Sequence, residues 1–318
     1  MRVLVTGGGG FAAGHFVTAL SALHPAANML ITAKKVLQRT PMGAVESLNI
    51  TNRAAVDEVI AQFVPTHVIN LASFSSPSLA NAHPQLVWDV NYQGVVNLAE
   101  SIIQRVPDCR LIQVGSGLVY AGLAGTAPLA ETAPLSPIDV YSITKAAADS
   151  VLEDLGKTGL RCVRFRPFNH TGPGQSEHFV IPSFCMQIAQ IEAGLVPPVL
   201  HVGNLAARRD FLDVRDVTKA YALALADARI DLDGEVFNVS SGIALTIEGL
   251  LERLLAQTKA PIEIQRDPDR QRRSDVECLI GDSRRAQQGL NWRPQISIDE
   301  MLKGVLAHAR SHVRPAHP

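Results

Sequence analysis

The chain has 318 residues, 47% of them hydrophobic, and a formal net charge of -1. That is enough apolar material for a sizeable core, one full domain plus a smaller lobe, and it excludes a disordered chain. The near-zero charge gives no electrostatic case for binding nucleic acid or an anionic membrane, so an anion would have to be gripped by local arginine clusters. The sequence contains no apolar run long enough to span a bilayer and no secretory pattern after Met1, which favours a soluble, cytoplasmic protein. Cys109, Cys162, Cys185 and Cys278 are scattered without paired spacing, so neither a metal site nor a disulfide framework is expected.

Arg2 to Thr6 reads as a strand that enters Gly7-Gly8-Gly9-Gly10 and then a helix from Ala12 to Leu23. A strand turning into a helix through glycines lets backbone N–H groups and the positive helix end approach a pyrophosphate. Gly7, Gly10, Phe11 and Ala12 are therefore the expected cofactor cradle, and the third small residue of the usual spacing falls at Ala13. The second strand, Met29 to Thr32, ends in Ala33-Lys34-Lys35. It offers no carboxylate for an adenosine ribose and two lysines for a 2'-phosphate, which favours NADP, with NAD as the alternative. Asn49, before Ile50, is either an adenine contact or a turn residue.

Helix from Arg53 to Phe63, strand from His67 to Leu71, helix from Pro84 to Arg105, strand from Arg110 to Val114, helix from Asp139 to Leu155 and strand from Leu160 to Arg166 continue a βαβ rhythm. The strands are nearly continuous apolar runs broken by single polar residues, as in a parallel sheet covered on both faces. The expected fold is therefore α/β, a Rossmann-like doubly wound parallel sheet. After Phe168 the texture changes to loops rich in Pro, Gly, Asn and His, with a helix from Phe179 to Ala193 and strands near Val199 to Val202 and Val236 to Val239. Residues 1–168 read mainly as the dinucleotide-binding domain and 169–318 mainly as a substrate lobe, with strands near 210–214 and 236–239 expected to return to the main sheet.

Two features carry chemistry. Ser116 follows the strand ending at Val114, where ligands lie in such sheets, and its hydroxyl can donate to a carbonyl oxygen or simply cap a turn. Tyr141 and Lys145 stand four residues apart within a helical pattern, so one turn places phenol and ammonium on one face. Such a pair is usually a solvated helix face; the glycine turn and Ser116 make a redox site the leading reading. An ammonium beside a phenol favours the phenolate and is expected to lower the phenol's pKa.

The Gly-rich turn, Asn70 to Ser73, Asn91-x-x-Gly94-x-x-Asn97-Leu98, Ser116, Tyr120 and Tyr141-x-x-x-Lys145 together resemble the extended short-chain dehydrogenase/reductases that modify nucleotide sugars, over essentially the whole chain. Arg166 to Gln175, Phe179 to Phe184 and Arg208 to Val214 are most similar to the GDP-4-keto-6-deoxy-D-mannose reductases. That resemblance implies reduction of the C4 ketone of a GDP-4-keto-6-deoxy sugar by NADPH, with Tyr141 as proton donor, Lys145 on the nicotinamide ribose and Ser116 on the carbonyl. The products would be GDP-D-rhamnose, GDP-6-deoxy-D-talose or a heptose analogue. It implies further cofactor contacts from Thr32, Lys34, Asn49, Ile50, Leu71, Ala72, Ser73, Asn91, Val114 and Pro167, Asn91 being a buried organiser of its helix. Substrate contacts would come from Gly117, Asn169, His170, Val180 and the diphosphate-binding Arg209 and Arg273, with His178 a second-rank candidate.

The related dehydratases need an added acid/base pair just after the hydroxyl residue; Gly117 and Leu118 stand there and neither moves a proton. The resemblance also implies a homodimer through a four-helix bundle formed by the helices of Pro84 to Arg105 and Asp139 to Leu155. Two other readings are an epimerase with tightly bound NAD, which an acid after the second strand would support, and a non-catalytic NADP-binding sensor, which loss of Ser116, Tyr141 or Lys145 would support.

Overall fold

A computed structural model describes residues 1–35, 45–75, 80, 82–226, 232–270 and 276–313. Strands β1 (Arg2–Thr6), β2 (Asn28–Ala33), β3 (Glu46–Ser47), β4 (His67–Asn70), β5 (Arg110–Val114), β6 (Cys162–Pro167), β7 (Asn169–Thr171), β8 (Val199–Val202), β9 (Arg208–Asp213), β10 (Val236–Val239), β11 (Ala244–Thr246), β12 (Glu263–Arg266) and β13 (Cys278–Leu279) form three sheets. The main sheet runs β10-β6-β5-β4-β1-β2-β3, all parallel. Helices are α1 (Phe11–Leu23), α2 (Arg53–Phe63), α3 (Pro84–Trp88), α4 (Gly94–Arg105), α5 (Val140–Lys157), α6 (Val180–Glu192), α7 (Val214–Ala226), α8 (Ile247–Leu255), α9 (Arg284–Gly289) and α10 (Ile298–His312).

Alternation along each strand sends successive side chains to opposite faces. Val3, Val5, Ile69, Ile112 and Phe165 join Phe16, Leu20, Val217 and Tyr221 of α1 and α7 in one core. Leu4, Val68 and Leu111 join Ile60, Leu98 and Leu152 of α2, α4 and α5 in the core on the other face. This is the doubly wound arrangement expected from the apolar runs. From β1 the chain moves outward to β2 and β3, then returns to β4 on β1's other side, so the order reverses between β1 and β4. A crevice opens there at the carboxyl ends of the strands.

The helix expected over Pro84 to Arg105 is interrupted by one π-helical stretch, Asp89–Gln93. Asn91 within it accepts from the Ser73 hydroxyl (3.1 Å) and the Phe74 N–H (2.8 Å) and donates to Thr144 (3.3 Å), which ties the bulged turn to β4's loop and to α5.

Of the two C-terminal strands expected to rejoin the main sheet, β10 does so beside β6. The strand near 210–214 does not: β9 pairs with β7, β11 and β13 in a separate small sheet. Phe211 of β9 and Leu200 of β8 pack in a different core with Phe184, Ile188, Leu250, Leu254, Leu302 and Leu306 of α6, α8 and α10, while Leu212 of β9 joins the core of α1 and α7. No helix among the described residues is long and apolar enough to cross a membrane.

Candidate active site

Gly7 lies at the reversal point with a φ of 73°, a left-handed conformation that disfavours any Cβ. A Cβ there would stand 2.4 Å from the Ala72 nitrogen and 2.5 Å from the Leu71 carbonyl carbon. The Gly8 N–H donates to the Thr32 carbonyl and the Gly10 N–H to that of Gly7, both at 2.8 Å. These bonds close the turn and start α1 with Gly10 as N-cap and no side chain capping it. A backbone turn that admits no Cβ and a helix end without a side-chain acceptor fit a dinucleotide pyrophosphate.

Beyond β5, Ser116 caps a 3-10 turn (Gly117–Leu123), its oxygen accepting the Leu118 N–H at 3.2 Å. The Ser116 hydroxyl faces the Tyr141 phenol and favours its ionised form. Tyr141 is placed by a capping box: Asp139 accepts the Ser142 N–H at 2.7 Å and the Ser142 hydroxyl oxygen accepts the Asp139 N–H at 3.0 Å. Tyr141 and Lys145 are both buried. The ammonium sits 6.0 Å from the Tyr141 ring centroid and donates to the Val114 carbonyl at 3.1 Å.

Burial pushes the Tyr141 phenol up to about 12, against the smaller opposing influence of the Ser116 hydroxyl. Burial also pulls Lys145 down to about 8. The expectation that Lys145 lowers the phenol's pKa is therefore corrected: the ammonium is engaged with Val114, and desolvation of the phenolate outweighs any help from it. The phenol stays protonated at neutral pH, the state a proton donor requires.

Leu71 and Ala72 line the turn against Gly7, Ser73 beyond them donates to Asn91, and Pro167 ends β6 in register with Val239. Thr32 spends its hydroxyl on the Val5 carbonyl (3.1 Å), so only its backbone faces the glycine turn. Lys34 and Lys35 are exposed just beyond β2. Asn49 takes its turn role, its side-chain oxygen accepting the Thr51 N–H at 3.3 Å, while Ile50 is buried against Gly94. Phe11 and Ala12 are half-buried at the start of α1.

On the substrate side, Asn169 is half-buried at the start of β7, and Val180 opens α6, whose N-cap Phe179 supplies no side-chain cap. His170 stacks on Phe11, ring centroids 6.4 Å apart, and its Nδ1 meets the Phe168 carbonyl at 3.1 Å. It thus stands beside the glycine turn, and burial lowers its pKa. His178 is exposed. Arg209 donates to the carbonyls of Arg208 and Val276. Arg273 lies outside the described residues.

Two arrangements escaped the sequence reading. A Cβ on Gly117 would lie 2.8 Å from the Phe168 ring, which also stacks on Tyr120 at 6.3 Å, so the residue after Ser116 is glycine because Phe168 fills its side-chain space. Leu118 packs in the apolar group around Tyr141. Asp149, two turns beyond Tyr141, accepts two bonds from Arg166 (2.8 and 2.7 Å) and one from Arg164 (2.8 Å). The signal was present as arginines inside an otherwise apolar strand; their partner lies on another element, which periodicity does not reveal.

The GDP-mannose 4,6 dehydratase family matches residues 4–305. The chain is 36% identical, over 79% of its length and 82% of the relative's, to a GDP-6-deoxy-D-mannose reductase of Pseudomonas aeruginosa. It is 24% identical, over 89% of its length and 88% of the relative's, to a GDP-6-deoxy-D-talose 4-dehydrogenase of Aggregatibacter actinomycetemcomitans. Among solved structures it is similar to RMD from Pseudomonas aeruginosa complexed with NADPH (TM-score 0.85, 32% identity, 98% of this chain and 99% of that one). A UDP-glucose 4-epimerase from Thermotoga maritima with UDP-glucose superposes comparably (TM-score 0.87, 26% identity, 98% and 99%).

Proposed function

The chain belongs to the GDP-mannose 4,6 dehydratase family, and within it we propose that this protein is an NADPH-dependent reductase of the C4 ketone of a GDP-4-keto-6-deoxy-hexose. The observation that carries the reading is a Tyr141 buried beside Ser116, its phenol kept protonated by burial, with Gly117 and Leu118 rather than an acid or base in the two positions after that serine. Reduction of a ketone consumes one hydride and one proton. A bound NADPH supplies the hydride to C4; the chain must supply the rest.

Tyr141 gives its proton to the carbonyl oxygen while Ser116 donates a hydrogen bond to the same oxygen, aligning and polarising it. The ammonium of Lys145 then offsets the charge left on the phenolate and holds the ribose hydroxyls of the cofactor. Elimination of water from the sugar would need another proton acceptor next to Ser116. Gly117, walled by Phe168, and the apolar Leu118 provide none. Lys34 and Lys35, with no carboxylate after β2, support a 2'-phosphate and hence NADP. Asn169, Val180, Arg209 and Arg273 would hold the sugar and the nucleoside diphosphate.

We include in this reading a homodimer formed by α3, α4 and α5, in support of which Leu86 and Trp88 of α3 and Ile143 of α5 are large exposed apolar side chains. Purified protein incubated with GDP-4-keto-6-deoxymannose and NADPH should lose absorbance at the nicotinamide band in proportion to sugar consumed. No loss above the rate without enzyme would overturn the assignment, and NMR of the product would distinguish the rhamno from the talo configuration.

A further inference from the structure

A row of polar side chains crosses the main sheet directly beneath the catalytic helix. Thr6 on β1, Asn70 on β4 and Gln113 on β5 are register neighbours, Thr6 opposite Asn70 and Asn70 opposite Gln113. All three are buried. By alternation they share the sheet face of Leu4, Val68 and Leu111, the face that α5 covers. In an all-parallel sheet this face is otherwise apolar, and three consecutive polar positions there demand partners.

The partners form one chain of bonds. The Thr6 hydroxyl donates to Asn70 Oδ1 at 2.6 Å, Asn70 Nδ2 donates to Gln113 Oε1 at 2.9 Å, and Gln113 Nε2 donates to the Val114 carbonyl at 3.0 Å. Its direction is unambiguous, because both ends are fixed by main-chain groups that have a single role. Asn70 Oδ1 also accepts the Ala72 N–H at 3.2 Å, so that atom is the oxygen, and the Val114 carbonyl can only accept, so the Gln113 atom facing it is the nitrogen. Every hydrogen in the row therefore points toward Val114. That same carbonyl oxygen accepts Lys145 Nζ at 3.1 Å.

We propose that Thr6, Asn70 and Gln113 are positioning residues that set how tightly the Val114 carbonyl holds the Lys145 ammonium, linking the strand that carries the glycine turn to the catalytic lysine. Gln113 takes part of the carbonyl's accepting capacity and brings the positive end of an N–H dipole near the ammonium. Both effects loosen the hold on Lys145, leaving it free to serve the ribose hydroxyls and Tyr141. Aligned bonds polarise one another, so the effect at Val114 includes contributions from Asn70 and Thr6. The inference rests on the reductase reading for its consequence, but not for its physical basis.

Two substitutions at Gln113 test it. Gln113→Met removes the donor and leaves a side chain of similar length; Gln113→Glu keeps the acceptor for Asn70 and replaces the donor with charge. The readout is the titration of Lys145 followed by NMR of protein carrying 13C-labelled lysine, its signal assigned by loss in Lys145→Met. The titratable neighbour of Lys145 on its own helix is the Tyr141 phenol; on β6, which packs against that helix, Arg164 and Arg166 are paired with Asp149 and Glu153, and all of these are unchanged in the variants.

The Lys145 midpoint should move up by about half a pH unit or more in Gln113→Met and further in Gln113→Glu, since the ammonium is then better held. The kcat should fall several-fold while the KM for the nucleotide sugar stays within about twofold. A merely structural role would lower the melting temperature and leave the midpoint where it was; an unchanged midpoint in Gln113→Met overturns the proposal even if Gln113→Glu does not fold. The lysine titration needs no turnover, so it reads out whether or not the sugar assignment holds.

Discussion

Replacing Lys145 with methionine should make the protein more stable while removing its activity. The ammonium is buried and donates to the Val114 carbonyl, and burial lowers its pKa from 10.5 to about 8. At ~1.4 kcal/mol per unit, this corresponds to roughly 3 kcal/mol of folding free energy lost to the buried charge at neutral pH. Methionine keeps an apolar chain in the same space, and the Val114 carbonyl retains Gln113 as a donor, so no orphaned acceptor offsets the gain. A net stabilisation of about 1–3 kcal/mol at pH 7 is expected.

The pH dependence fixes the cause. Above pH 10.5 lysine is neutral in both states and the penalty vanishes; as pH falls from 10.5 toward about 8 the unfolded chain takes up its proton first, and stability is lost over that window. Urea melts of the two proteins should therefore differ at pH 7 and by only about a quarter as much at pH 10, other titrating groups being common to both. A variant no more stable than the parent at pH 7, or an advantage that persists undiminished at pH 10, would refute the reasoning.

Gly7→Ala forces a Cβ to within 2.4 Å of the Ala72 nitrogen at a positive φ, so the turn must shift; NADPH affinity measured by fluorescence titration should fall at least about tenfold, and an unchanged affinity would remove the turn from the cofactor site. Asp149→Ala leaves Arg164 and Arg166 buried without their shared carboxylate. Denaturant melts should show a loss of about 3–5 kcal/mol, or no folded protein, whereas a loss below about 1 kcal/mol would mean the arginines find other partners.

The main sheet was legible because its strands are apolar on both faces and its helices fill the intervals between them, and because a glycine turn directly after the first strand has few other uses. The small sheet was not. Strands such as Cys278–Leu279 and Ala244–Thr246 are too short to carry a period, and their pairing with β9 joins segments remote in sequence. Ser116, Tyr141 and Lys145 were singled out by residue type and spacing, and the structure places Tyr141 and Lys145 on one buried turn of α5 beside Ser116. The direction of the Tyr141 shift was misjudged because spacing reveals a neighbour but not the depth of burial that outweighs it. Gln113 registered only as a polar interruption of its strand, and Asn70 as one that also opens the Asn70 to Ser73 motif; their shared role appears once the register sets them side by side under α5.

Deuterium transfer tests the central claim most directly. With NADPH carrying deuterium at the transferred position of nicotinamide C4 and GDP-4-keto-6-deoxymannose as substrate, NMR of the product should show one deuterium at sugar C4 for each NADP+ formed, and Tyr141→Phe should abolish the transfer. Cofactor oxidation that leaves C4 unlabelled, or full transfer by Tyr141→Phe, would contradict ketone reduction at this site.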